Sequence, residues 1–331
     1  MHKVLDLDIA DPICFRTTDG LRAIDARTLA VHRPDSHRVI LGPAGELAAR
    51  CSLWWQSKLH CHGRRAGLIG HYAAADMAAS QALLADACRE LAAQGCELAV
   101  GPIDGNTWRQ YRLVVEGSSH PPFLLEPDHP RDWPEHFVTA GFGPLAYYFS
   151  ALNTHLARMD SRATAAEIRL RRSGVTIRAA DGQRLPDELR RIYAIAKVAF
   201  RNNLLFNSPD EHTFLTECDT LIPLVEPELI LLAEHEGRAV GFVVQLPDRL
   251  QARRGEAIDT VVIKTLGCLP DPTLAGIGNV LLYNAHWRAH ELGFRKSVHA
   301  LVREQSHLRR LSARTARVIR RYALFAKDLA R

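Results

Sequence analysis

Apolar positions along the chain follow two periods, and the switches between them mark out the elements. Residues 259–266 gather β-branched side chains around Val261, Val262 and Ile263 and read as a strand. Residues 267–275 hold two prolines and read as a connection. From Asn279 the period changes: Leu281, Leu282, Ala285, Ala289 and Leu292 fall on one helical face. Upstream, 229–233 and 239–245 flank a Glu236-Gly237 turn and read as a hairpin. Downstream, 297–302 reads as a strand, 305–314 as a polar helix and 318–325 as a last strand.

The first half carries the same succession. Residues 38–41 and 47–55 flank a turn at 42–45, and 66–72 reads as a strand. Asp76 is placed to cap a helix running to Gln94, with Leu83, Leu84, Ala87 and Leu91 on its apolar face and Gly95 ending it. A buried strand over 96–101 follows, and 145–151 reads as a closing strand. Hairpin, strand, helix, strand thus occurs twice, which predicts two copies of one unit. The expected division is 1–152, a linker helix over 153–174, and 175–331, the second copy opening on a strand at 175–178 and a helix at 185–200. Residues 1–35 give no clear assignment, and 200–209 reads as a loop carrying Arg201, Asn202, Asn203 and Asn207.

The stretch Thr273-Leu274-Ala275-Gly276-Ile277-Gly278 precedes the helix of the second half. A glycine-containing turn at a helix start leaves main-chain N–H groups pointing outward, a place for phosphate or pyrophosphate, although glycine pairs before helices are also ordinary turn chemistry. The order of elements around it resembles the GNAT acyltransferase superfamily. So do Gly101-Pro102, Pro121-Pro122-Phe123, Glu126-Pro127 and Gly141-Phe142 in the first half, which are similar to one branch of it. The resemblance implies an α/β (α+β) architecture of two tandem GNAT-like domains, each a mixed, mostly antiparallel sheet flanked by helices. It further implies acetyl-CoA or another acyl-CoA as donor, held by Leu266, Gly267, Cys268, Thr273, Ala275, Gly276, Ile277, Gly278, Asn279 and Gln305, with main-chain N–H groups near 266–268 polarising the thioester carbonyl. Two positions depart from the family: Thr273 stands where Gln or Arg is usual, and Ser312 where a general-acid Tyr is often found. In the first copy Ala73-Ala74-Ala75-Asp76 replaces the glycine turn, so its cofactor site is expected to be degenerate.

Charge sharpens this. The chain has 331 residues, a formal net charge of +5 and 47% hydrophobic residues, enough for a sizeable core. Residues 1–150 carry 14 Lys/Arg against 17 Asp/Glu, and residues 151–331 carry 28 against 20. A basic half around the expected phosphate turn suits an anionic cofactor; it equally suits a solvated face or nucleic acid. Seven cysteines, an odd number without a paired Cys-x-x-Cys motif, point away from a disulfide framework and toward a cytoplasmic location. No apolar run approaches the roughly 20 residues that span a bilayer.

Acyl transfer needs a base for the amine and an acid for the leaving thiolate. Tyr322 in the last strand is a candidate acid, or a core aromatic; Asp259 and Glu256 are candidate bases, or solvated strand-end carboxylates. Asp104, Asn106, Trp108, Arg109, Tyr111 and Arg112 form a polar–aromatic cluster that suits a substrate pocket, with Arg112 anchoring a carboxylate, or a network that stiffens a loop. Arg303, His307, Arg309, Arg310 and Arg314 could meet a 3′-phosphate or be a solvated helix face. His60-Cys61-His62 lacks the spacing of a metal site, and none is expected; Cys268 reads as a small hydrophobe.

The expected activity is acyl transfer, most simply acetyl, to a small-molecule amine by a monomer or homodimer off the membrane. One alternative keeps the fold but takes the acyl group from aminoacyl-tRNA or a carrier protein, tRNA being the one nucleic-acid partner considered. The other is an inactive GNAT-like binding module.

Overall fold

The chain is described by a computed structural model covering residues 3–7, 21, 24–117, 119–158, 160–219 and 221–329; Cys14 lies outside them. Strand β1 (Lys3–Leu7) and helix α1 (Ala26–His32) come first, in the stretch where the apolar pattern is silent. The predicted hairpin follows as β2 (Ser36–Leu41) and β3 (Leu47–Trp54), then a two-residue strand β4 (His60–Cys61) and the long β5 (Arg64–Ala74). Helix α2 (Met77–Ala93) begins at Asp76, whose carboxylate accepts the Ala79 N–H at 2.8 Å, and it buries Leu83, Leu84, Ala87 and Leu91 completely. Gly95, at φ +79, turns the chain into β6 (Leu98–Gly101). Then come β7 (Leu113–Glu116), α3 (Trp133–Thr139) and β8 (Gly143–Asn153).

Helix α4 (Ser161–Arg172) links the halves. The second run is β9 (Val175–Ala179), α5 (Leu185–Ala199), α6 (Glu211–Asp219), β10 (Ile230–His235), β11 (Arg238–Pro247), the short α7 (Leu250–Arg253) and β12 (Thr260–Cys268). It ends with α8 (Ile277–Glu291), β13 (Lys296–Arg303), α9 (His307–Thr315) and β14 (Arg317–Asp328).

All these strands join one sheet, and its order departs from the chain order at a single region. Along the main path the strands run β1-β2-β3-β5-β6-β14-β8-β13-β12-β11-β10-β9. The last strand of the second half, β14, lies against β6 of the first, while β8 of the first half lies against β13 of the second. The two exchanged strands also pair with each other, antiparallel, from Arg317 opposite Leu152 to Ala326 opposite Gly143. Neither half closes its own sheet. From β6 the hydrogen-bonded path reaches β8 only through β14.

A buried polar cluster pins this seam. Tyr322 is 0% exposed and donates its hydroxyl to Glu126, with Ser150 Oγ at 3.0 Å. Arg320 reaches the other oxygen of Glu126 at 2.5 Å and also donates to the carbonyl of His120. Residues from three distant parts of the chain thus meet in one buried cluster, where the Glu126 carboxylate is matched by two donors, although the Arg320 Nε has no partner of its own among the described residues.

Two predictions follow from the seam. A fragment of residues 1–155 lacks the strand that covers β6 and will fold only when residues 156–331 are supplied in trans, as circular dichroism of each fragment and of their mixture will show; a cooperative folded state of the first fragment alone refutes the exchange. Glu126→Ala strands the Arg320 guanidinium and is expected to lower stability by about 3–5 kcal/mol in urea unfolding, against under about 1 kcal/mol if the cluster is incidental.

Candidate active site

Strands β12 and β13 run parallel for four pairs, from Thr260 opposite Lys296 to Ile263 opposite His299, and then part. On its other side β12 stays paired with β11, with a bulge between Val244 and Gln245 that leaves Lys264 unmatched. Beyond Ile263 the edge of β12 that faces β13 therefore has no strand partner. A cavity of about 1860 Å³ opens there, lined by Lys264, Thr265 and Leu266 from β12 and Ala300 to Arg303 from β13. The first half closes its far wall with Asp104, Trp108 and Arg112.

The corresponding wedge of the first half is shut. Strands β5 and β6 pair in parallel through Leu68 and Val100, but the chain then turns back on itself. Ile103 donates its N–H to the carbonyl of Ile69 at 2.8 Å. A Cβ placed on Gly70 would lie 2.2 Å from the carbonyl oxygen of Ile103, so only glycine permits the approach. At the start of α2 the Asp76 carboxylate already takes the Ala79 N–H, and its charge would repel an outside anion.

At the start of α8 the situation differs. Gly276 caps the helix at φ +90, a conformation that suits glycine. Among the described residues, the N–H groups of Gly276, Ile277 and Gly278 have no internal acceptor. Helix α4 runs alongside. Its Arg169 donates to the carbonyls of Thr273 and Ala275, and Ala166 lies 3.1 Å from a Cβ built on Gly276. The turn is thus flanked by a guanidinium that the sequence pattern did not point to, and is narrowed by the same helix.

The candidate residues from the sequence fall into three groups. Leu266, Gln305, Asp104, Trp108 and Arg112 line the cavity. Thr273, Ala275, Gly276, Ile277, Gly278 and Asn279 form the turn and first residues of α8, with Gly267 and Cys268 in the strand before it. Gly267 packs on Phe242 and Phe200. Tyr322, Asp259, Glu256 and Asn106 are outside the lining. Tyr322 is held in the seam; Asp259 pairs with Lys296 at 2.9 Å, and Glu256 with Arg254 at 3.0 Å. Asn106 accepts the N–H groups of Trp108 and Arg109, fixing the turn that presents them.

Charge within the cavity is unevenly matched. Arg112 is 4% exposed, its guanidinium 3.5 Å from the Tyr111 ring centre and 4.0 Å from that of Tyr148. It donates to the carbonyl of Leu301 at 2.8 Å, and no carboxylate pairs with it among the described residues. Lys264 likewise has no hydrogen-bond or ion-pair partner there; burial lowers its ammonium from the ordinary lysine value. The Glu217 carboxylate, whose charge acts on Lys264, is bound by Arg109 at 2.6 Å. Lys264 was detectable in principle, as a charge inside a run of buried strand residues.

Histidines make two further clusters. His32 Nδ1 lies 2.8 Å from His71 Nε2, with Asp104 Oδ2 4.0 Å from the same nitrogen, and the Arg50 and Arg109 side chains close by. Burial raises Asp104 to a pKa of about 6 and lowers His71 to about 3. In the second half His286 and His299 stand 2.9 Å apart, and His299 is 2.7 Å from Ser312. Neither cluster has a sequence signature, since its members come from separate elements.

Among the described residues no helix is long and apolar enough to cross a membrane. No family model matches the chain. Protein YghO of Escherichia coli K12 is 29% identical over 163 residues, a stretch that is 48% of this chain and 40% of that protein. Among solved structures, a GCN5-related glucosamine N-acetyltransferase region in a fungal multi-domain GH3 β-N-acetylglucosaminidase superposes with a TM-score of 0.57 at 13% identity, over 99% of this chain and 38% of that one. A tandem GNAT protein from the clavulanic acid biosynthesis pathway superposes at 0.54 and 11% identity, over 100% and 99% of the two chains. A GCN5-related N-acetyltransferase from Sphaerobacter thermophilus does so at 0.51 and 15%, over 100% and 96%. With its repeated order of elements and its splayed β12–β13 pair, the chain has the GNAT fold in tandem form.

Proposed function

We propose that the second copy transfers an acyl group from a coenzyme A thioester to a small-molecule amine that carries an acidic group. The observation that carries this reading is the parting of β12 from β13 after Ile263, which leaves an unpaired strand edge facing a large cavity. A thioester lying along that edge would meet main-chain N–H donors at its carbonyl. The N–H groups of Gly276 to Gly278 and the Arg169 guanidinium offer a diphosphate two kinds of donor. Arg169 would supply from α4 the contact for which Thr273 is too short. Lys264 and Arg112, unpaired by carboxylates, suit an acceptor with a carboxylate or phosphate. In this reading the first copy, with its wedge closed, holds no cofactor and serves as a wall of the site.

One observation favours a different donor. Ala166 of α4 stands 3.1 Å from the Cβ position of Gly276, which restricts space at the turn. A donor that does not use the turn, such as an aminoacyl-tRNA or an acylated carrier protein, avoids that restriction. The basic second half is compatible with either.

Calorimetry with acetyl-CoA separates them. The wild type is expected to bind, and Gly278→Asp to weaken binding at least about 100-fold by setting a carboxylate where a diphosphate would lie. Ordinary contacts of 3.6 Å to Cys268 and Leu266 surround that Cβ position, so the substitution tests charge rather than packing. Unaltered affinity rules out the turn as the phosphate site, and no heat with the wild type favours the second donor class. Lys264→Met should raise KM for an amino acid acceptor about 30-fold or more and leave KM for the decarboxylated amine within about threefold. Equal effects on both acceptors contradict the anion role.

A further inference from the structure

A chain of hydrogen bonds runs from the seam into the cavity, and its direction can be read from donor and acceptor chemistry. It starts at Asn153, which is 1% exposed at the end of β8. Its Oδ1 accepts the N–H of His155 at 2.9 Å, so its amide nitrogen is the atom turned toward His286 Nδ1, 3.4 Å away. An amide nitrogen only donates. His286 Nδ1 is therefore an acceptor, and the proton of this neutral ring sits on Nε2. That nitrogen is 2.9 Å from His299 Nε2, which must accept. The proton of His299 is then on Nδ1, 2.7 Å from Ser312 Oγ. The serine oxygen accepts it, and its own hydrogen is left without an acceptor among the described residues.

Every member is enclosed: His286 and His299 are each 4% exposed and Ser312 1%. Burial holds both rings neutral, His286 down to a pKa of about 4 and His299 well below its ordinary value. His299 and Ser312 nevertheless line the cavity, on the side where β12 and β13 separate. The polarity is opposite to that of a serine nucleophile, whose histidine takes a proton from the hydroxyl. Here the histidine gives one, so the hydroxyl is polarised to release its hydrogen outward.

We propose that Ser312 is the proton donor to the leaving thiolate, and that His299, His286 and Asn153 are positioning residues that fix the direction of its hydroxyl. The proposal rests on the thioester reading above. In the step, the adduct of amine and thioester collapses. The oxyanion re-forms the carbonyl, the C–S bond breaks, and its electron pair stays on sulfur. Sulfur takes the hydroxyl proton of Ser312, and the serine oxygen takes a proton from the ammonium nitrogen of the adduct. Ser312 ends as it began, while the Nδ1–H of His299 steadies the negative charge that passes over its oxygen.

The test varies the need for a proton. With acetyl-CoA, whose alkyl thiolate is a poor leaving group, Ser312→Ala should lower kcat about 100-fold or more. With S-(4-nitrophenyl) thioacetate, whose thiolate departs unprotonated, the same variant should stay within about threefold of wild type. Equal losses with both donors, or none with either, overturn the role of Ser312 while leaving the transferase reading intact. A wild type that transfers from neither donor sinks that reading and this step with it. Nitrogen-15 NMR of the wild-type imidazoles tests the direction without a variant. The expected tautomers are Nδ1–H for His299 and Nε2–H for His286, and the reverse pair refutes the proposal.

Discussion

The pairing of β8 with β14 is the constraint on which the rest of this molecule depends. Each is the last strand of one copy, and each completes the sheet of the other. The exchange makes one continuous sheet from two repeats and leaves no interface along which they could come apart. It also decides who builds the cavity. The irregularity in β13 at Ala300 and Leu301 is held from the first copy on both sides: Ser150 Oγ accepts the Leu301 N–H at 3.0 Å, and Arg112 donates to the Leu301 carbonyl. The open wedge of the second copy is thus shaped by residues of the first.

The polar groups of the interior follow one rule, applied twice. Carboxylates and cations that meet, as Glu126 and Arg320 do or Glu217 and Arg109, neutralise each other even where they line the cavity. Two cations that no carboxylate binds among the described residues, the buried Arg112 and the half-buried Lys264, line the same cavity. Burying a cation without a counter-charge is costly, and an anion placed beside it would offset that cost.

What the sequence made legible was whatever is encoded within a few residues. The capping of α2 by Asp76, its apolar spacing and the glycine that ends it are local, and so are the β-branched run of β12 and the turn before α8. The repeat was visible because each copy spells the same local signals in the same order. The exchange of β8 and β14 was not, since a strand's composition states that it will pair but not with which neighbour. Tyr322 illustrates the limit. Its place in a strand allowed either an acid or a core aromatic, and the deciding partner, Glu126, is 196 residues away. The Asn153–His286–His299–Ser312 chain is equally non-local, with its four members on four elements.

Gly70 carries a consequence for anyone wishing to equip both repeats with chemistry. Its main chain sits against that of Ile103, so the segment from Gly101 to Arg112 is threaded through the space a ligand would need. That same segment delivers Trp108 and Arg112 to the neighbouring cavity. Carving a vacancy in the N-terminal repeat would mean re-routing those residues and dismantling a wall of the neighbouring cavity. A ligand site in that repeat is therefore out of reach of point substitutions and is better grafted elsewhere on the scaffold.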